Sequence, residues 1–191
     1  MQKEKFPVDI YMESICGDCH RLIANELKFI ALHPVLLDYA NITLHIFGKA
    51  RIAGRNPPRF YCQFGEKGCI GNKALNCIYK HSSSFTEAIQ VMQCIFESSY
   101  SSDESIKMCY SKFHGSSDEA LRCFKGPEGN QLLLEAGDAT PELKWVPAFR
   151  DGDTICLDTR NLVHYICDHI NGIKPDVCLQ EGHTVGMEVE L

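Results

Sequence analysis

The sequence has no apolar run approaching the roughly 20 residues that a helical membrane span requires. It has no excess of positive charge either. Its 19 lysines and arginines stand against 25 acidic residues, a net charge of −6, which excludes a general nucleic-acid-binding surface. No Gly-rich dinucleotide fingerprint follows the first strand, so no site for a bound NADPH or flavin is expected. Only one C-x-x-C pair occurs, and the remaining cysteines are too widely spaced to complete a zinc framework, so no metal is expected. The start, Met1-Gln2-Lys3-Glu4-Lys5, has no apolar segment behind it, and the end, Glu188-Val189-Glu190-Leu191, carries no retention signal. The expectation is a mature form whose leader has been removed, with Met1 an addition. No internal repeat is visible.

What the chain does have is sulfur. Eleven of its 191 residues are cysteine, too many for a reducing cytosol without a metal to hold them. The count is also odd, so bridges within the chain leave at least one thiol over. Asn41-Ile42-Thr43, the one N-glycosylation sequon, fits a secretory route with Asn41 as acceptor. Otherwise the composition, 45% hydrophobic and 23% charged, is that of a globular domain able to bury a core.

Val8, Ile10 and Met12 alternate with Asp9, Tyr11 and Glu13, which predicts a strand with one polar face. Ile23, Leu27 and Ile30 then fall at helical spacing, ended by His33-Pro34, and Asn41 to Phe47 returns to strand. Strand, helix and strand within this length make a βαβ unit. Arg51, Arg55 and Arg59 with Asn56-Pro57-Pro58 read as a basic, solvated loop. Six cysteines follow, Cys62, Cys69, Cys77, Cys94, Cys109 and Cys123, around a helical stripe of Ala88, Val91, Met92 and Ile95. Ser98 to Ser105 reads as a polar linker, and Ser116-Ser117-Asp118-Glu119 as the start of another helix. Segment 51–129 is thus expected to be a disulfide-stapled helical insertion, its elements too short to hold a core unaided. After it come a helix from Asn130 to Ala136, a strand over Lys144–Arg150, a turn at Asp151-Gly152, a return strand from Asp153 to Leu157, and a last helix carrying Leu162, Val163, Ile166 and Ile170. A βαβ unit followed by ββα is an α/β, thioredoxin-like arrangement. It assigns 1–50 and 130–180 to the core and 181–191 to a C-terminal tail.

Cys16-Gly17-Asp18-Cys19 lies where the first strand meets the first helix. Unpaired N–H groups and the dipole at a helix start favour an anion, and cysteines in such motifs have pKa values of about 3.5–7.5 against about 8.5 for a free thiol. Cys16 is therefore the expected nucleophile. One helical turn on, Cys19 is the thiol that resolves a mixed disulfide at Cys16. Arg21 and a protonated His20 would favour the thiolate, and Asp18 would oppose it. The run can also be read as half a zinc site, as the C-x-x-C-H pattern of haem attachment with His20 as axial ligand, or as an inert structural disulfide. Val146-Pro147 opens the next strand, where a proline removes a ladder donor and where substrate backbone could pair. On residue chemistry alone this could be a trans proline at an edge strand, but resemblance to thioredoxin-like enzymes, where a cis-proline opens this strand beside the C-x-x-C, implies a cis Pro147 with Val146 as the pairing residue.

The segment Tyr11-Met12-Glu13-Ser14-Ile15-Cys16-Gly17-Asp18-Cys19 resembles the active-site segment of the gamma-interferon-inducible lysosomal thiol reductase family. More specific is Cys62 to Cys77. The family signature is Cys-Gln-His-Gly, two residues, Glu-Cys, two residues, Asn, four residues, Cys, and this chain keeps Cys62, Gln63, Gly65, Cys69, Asn72 and Cys77. Phe64 replaces the His and Gly68 the Glu. Asn41, Trp145-Val146-Pro147 and Lys174-Pro175-Asp176-Val177-Cys178 also look family-like, as do Cys94, Cys109, Cys123, Cys167 and Cys178. Cys156 does not, which makes it the candidate unpaired thiol; Cys167 and Cys178 are close enough in sequence for a local bridge.

The resemblance implies a thiol–disulfide oxidoreductase that reduces disulfide-bonded proteins in an acidic endolysosomal compartment or after secretion. It would have no cofactor of its own and take electrons from an external small thiol, as a monomer or a disulfide-linked dimer. At pH 5 a thiol of pKa about 8.5 is only about 0.03% thiolate, so Cys16 must be acidified to work there. The alternative is a secreted, redox-inactive binding module on the same fold.

Overall fold

The computed structural model describes residues 4–98 and 101–179; the 181–191 tail lies outside the described residues. Four strands form one sheet in the order β2-β1-β5-β6: β1 (Phe6–Met12), β2 (Ala40–Ile46), β5 (Ala148–Asp151) and β6 (Thr154–Cys156). β1 and β2 are parallel, with Phe6 opposite Ala40 and Met12 opposite Ile46; β5 runs antiparallel to β1, and β6 to β5. The parallel pair requires a crossover, which is supplied by helix α1 (Gly17–Leu22) running through a π-turn (Ile23–Leu27) into α2 (Lys28–Leu32). This is the expected βαβ-then-ββα order, in which β1 is central and its C-terminal end delivers the chain to Cys16.

The alternation in β1 holds on one side only. Val8, Ile10 and Met12 are buried, but so are Tyr11 and Glu13, where the period predicted a polar face. Tyr11 stacks on His45 of β2 with ring centroids 5.1 Å apart and accepts a 3.0 Å hydrogen bond from Arg150 Nε, so neighbouring strands cover it. Glu26, in the π-turn, accepts from the Val163 N–H at 2.9 Å and so ties the first helix to α8 (Leu162–Asp168).

The segment 51–129 differs from expectation in three ways. Its basic start is not a loop but a hairpin of β3 (Arg51–Arg55) and β4 (Pro58–Tyr61). The arginines point outward while Ile52 and Phe60 pack on Phe47, Leu133 and Ala136, a small second core that the Arg-rich spacing concealed. The linker ends early, because Ser102 caps α5 (Asp103–Lys112) in a reciprocal capping box with Ser105. Nor are its helices separate from the main core. Leu75 and Ile78 of α3 (Gly65–His81), Ile89, Val91 and Met92 of α4 (Phe85–Glu97), and Ile106 and Tyr110 of α5 join the same buried cluster as β1 and β2. α6 (Asp118–Lys125) and α7 (Pro127–Ala139) complete the segment and the return to the sheet. The strand expected over Lys144–Arg150 starts only at Ala148, after a cis Val146–Pro147 bond; a proline has no N–H to give to the ladder.

Candidate active site

Cys16 is the N-cap of α1, with extended backbone, and its sulfur accepts the Cys19 N–H at 3.2 Å. The chain reaches it through Ile15, whose φ of 65° is left-handed. On its other side the Cys16 thiol lies 3.7 Å from the Val146 carbonyl, to which it donates. The geometry therefore brings together three separated sequence features: Cys16, Cys19, and Val146 with its cis Pro147. Cys16 is 8% exposed and Cys19 not at all, so only the first sulfur can meet a substrate.

The two thiols are pushed in opposite directions. Hydrogen bonding from the Cys19 side chain, ahead of the Cys19 and Asp18 backbone N–H groups, lowers the Cys16 pKa against the opposing pull of burial. Burial first, then the Cys16 sulfur, holds Cys19 well above the ordinary thiol range. In such a pair the Cys19 thiol, kept protonated by burial, is a hydrogen-bond donor to an ionised Cys16 sulfur. Asp18 and Arg21 pair with each other at the exposed start of the helix.

Glu13, to which the residue pattern assigned no role, lies just before the pair. It is 1% exposed; its Oε2 accepts the Lys49 N–H at 3.4 Å, and its Oε1 has no hydrogen-bond partner. Burial raises its pKa, and its ionised form would raise those of both Cys16 and Cys19. Gly48, at φ 63°, leaves room for it; a Cβ there would lie 2.4 Å from Oε2. The sequence signal was its parity with Tyr11 at the end of β1.

Asn72 shows why part of the site lies in the insertion. Its Oδ1 accepts the Ser14 N–H at 2.7 Å and its Nδ2 donates to the Phe47 carbonyl at 3.3 Å, while Ser14 Oγ donates to the Gly68 carbonyl at 2.9 Å. Asn76 extends the tie by donating to the Ile46 carbonyl at 2.8 Å. α3 thus clamps the turn before Cys16 to the end of β2. This approach depends on Gly71, where a Cβ would lie 2.4 Å from Ser14 Oγ. The two departures from the family signature adjoin each other: a Cβ on Gly68 would come within 3.1 Å of the Phe64 Cβ.

The remaining cysteines lie elsewhere. Bridges join Cys62–Cys69, Cys77–Cys123, Cys94–Cys109 and Cys167–Cys178, and the free thiols are Cys16, Cys19 and Cys156. Cys156 is half-buried on β6, and burial raises its pKa. His81, Cys123 and Glu128 are the one group among the described residues close enough to share a metal ion, but the Cys123 sulfur is committed to its bridge. Asn41 is exposed on β2, an edge strand.

With this geometry established, the comparisons with known proteins fall into place. The sequence profile of the family described as gamma interferon inducible lysosomal thiol reductase (GILT) matches residues 7–113, more than half of the chain. The chain belongs to the GILT family. Among curated relatives, GILT-like protein 1 of Drosophila melanogaster is 26% identical over 92% of this chain and 79% of its own length. The gamma-interferon-inducible lysosomal thiol reductase of Carassius auratus is 28% identical over 91% and 72%. Among solved structures, the thiol-disulfide exchange protein alpha-DsbA2 of Wolbachia pipientis superposes with a TM-score of 0.55 at 12% identity, covering 88% of this chain and 83% of that one, which shows the shared thioredoxin-like fold. The GILT chain is accordingly a thiol reductase, and the redox-inactive binding module is set aside. Disulfide-bearing substrates follow from that activity.

Proposed function

We propose that this GILT protein reduces protein disulfides in an acidic endolysosomal compartment, with Cys16 as attacking sulfur and Cys19 as resolving sulfur. The observation that carries this reading is the Cys16 sulfur at the helix start, 8% exposed and receiving the Cys19 N–H, above a fully buried Cys19. The Cys16 thiolate attacks one sulfur of the substrate disulfide. A Cys16–substrate bond forms, the substrate S–S bond breaks, and the departing sulfur leaves as a thiolate that takes a proton. Cys19 then gives up its proton and attacks the Cys16 sulfur, forming the Cys16–Cys19 disulfide and releasing the second substrate thiol. The substrate gains two electrons and two protons, and the pair loses them. A small thiol supplied in excess restores the pair, two molecules giving one disulfide. The Val146 carbonyl, beside Cys16 and ahead of Pro147, is the partner for substrate backbone.

The lowered Cys16 pKa supports work in acid. It also stabilises the reduced form, which makes the couple more oxidising and restricts it to strained or exposed disulfides. Acid-loosened proteins are therefore the fitting substrates. The family's lysosomal name and the exposed Asn41 sequon support an endolysosomal or secretory location. A half-buried Cys156 with a raised pKa favours a monomer over a dimer linked through it.

The test is reduction of a disulfide-bonded protein by a small thiol at about pH 5 and pH 7. Wild type is expected to be active at both, Cys16→Ser to fall to the uncatalysed rate, and Cys19→Ser to accumulate a mixed disulfide at Cys16. Full activity in Cys16→Ser, or wild-type activity only at pH 7, would refute the reading.

A further inference from the structure

A cavity of about 250 Å³ opens directly beside Cys16. Its apolar lining is Ile15 before the helix, Leu75 on α3, and Ile95 with Phe96 on α4, while His20 on α1, Lys67 on α3 and Ser101 ahead of α5 supply polar edges. Cys16 itself belongs to the lining, so whatever enters the cavity lies next to the attacking sulfur. The His20 ring stacks on Phe96 almost in parallel, with centroids 5.4 Å apart and planes 7° off, so the two rings steady each other in the cavity lining. Its size falls below the roughly 300–1,000 Å³ of small-molecule sites, so it suits one side chain rather than a nucleotide or a folded segment. Ile15 stands 47% exposed, in a left-handed conformation that β-branched residues rarely adopt. A turn needing only that backbone shape would be served by glycine, so the isoleucine side chain points to a contact of its own.

We propose that this cavity is a substrate subsite that receives a large apolar side chain one or two residues from the cysteine under attack. The inference rests on Cys16 being the attacking sulfur. The preferred substrates are then disulfides flanked by Leu-, Met- or Phe-type residues, which folded proteins bury and loosened ones expose. The subsite thus selects the same partly unfolded polypeptides that the potential of the pair makes reducible. Seating the side chain acts before bond exchange and equally in the transition state, so its effect falls on KM more than on kcat.

The test uses two disulfide-linked peptides that differ only in the residue beside the cysteine, Leu in one and Ser in the other, each reduced by the full chain with excess small thiol. Wild type is expected to favour the Leu peptide by about tenfold or more in kcat/KM, mostly through KM. In Phe96→Ala and in Ile15→Gly, which also relieves the backbone, the ratio should fall towards one. Equal kcat/KM for the two peptides in wild type would overturn the subsite and leave the reductase reading intact. An unchanged ratio in both folded variants would overturn it too. Reduction of neither peptide by wild type would overturn the reductase reading and the subsite together.

Discussion

In the first strand–helix unit two cysteines lie one helical turn apart and remain thiols, whereas all six cysteines of segment 51–129 are bridged. The difference is one of position. Cys16 and Cys19 face each other at a helix start, where backbone N–H groups stabilise a sulfur anion. Cys77, Cys94, Cys109 and Cys123 lie on facing sides of neighbouring helices with Cα atoms 5.6–5.7 Å apart, the spacing at which a disulfide closes without moving the backbone. One region therefore carries the two free thiols of the proposed site, and the other a frame that holds the turn before them through Asn72 and Asn76.

The sharpest way to break this contrast is Cys16→Ser, which should remove reduction of a protein disulfide while leaving the thermal midpoint nearly unchanged. The reverse effect is expected from Cys77→Ala with Cys123→Ala. Loss of a bridge spanning 46 residues should cost about 4 kcal/mol, read by urea titration of the oxidised protein, with Cys16 alkylation still selective if the fold survives. Asn72→Ala tests the contact between the two regions. It strands the buried Ser14 N–H and should cost about 1–3 kcal/mol, together with turnover out of proportion to that loss.

Glu13→Gln separates charge from packing. The ionised carboxylate raises the Cys16 pKa, so its removal should move the pH profile of Cys16 alkylation to lower pH. The sign for stability also follows. A raised folded-state pKa contributes stability that is full below the ordinary carboxyl value and lost as pH rises through the raised one. Relative to Glu13→Gln, wild type should therefore weaken as pH rises above the ordinary carboxyl value of about 4.3 in paired denaturant titrations. Cys16 acts oppositely in the reduced protein: its lowered pKa contributes above the ordinary thiol value and fades as pH falls through the shifted one. The smallest effect belongs to Arg21→Ala. Its exposed pair with Asp18 should be worth less than about 0.5 kcal/mol in a thermal melt.

Much of this was legible in the residues. Alternation in Val8–Met12, helical spacing from Ile23 to Ile30, and Asp151-Gly152 between two short strands marked the sheet and its order, because period and turn chemistry are local properties. The placement of Cys16 and Cys19 was legible for the same reason: their spacing and their position at a helix start are written within four residues. The hairpin at Arg51–Tyr61 was not, because its outward arginines dominate the pattern and its apolar partners, Phe47 and Leu133, lie elsewhere in the chain. Glu13 drew no role because its one signal, parity with Tyr11, does not say what covers the second face of the strand.

The sequence by itself determined the fold class, the thiol pair and the family signature, each carried by short-range pattern. Only the tertiary structure decided that Cys77 bridges to Cys123 and Cys94 to Cys109, what Asn72 holds, and that α3 and α4 wall a cavity beside Cys16. These depend on how separate segments of the chain, such as Ser14 and Asn72, 58 residues apart, are brought together, set by how side chains fill the shared core and not by the order in which they are strung.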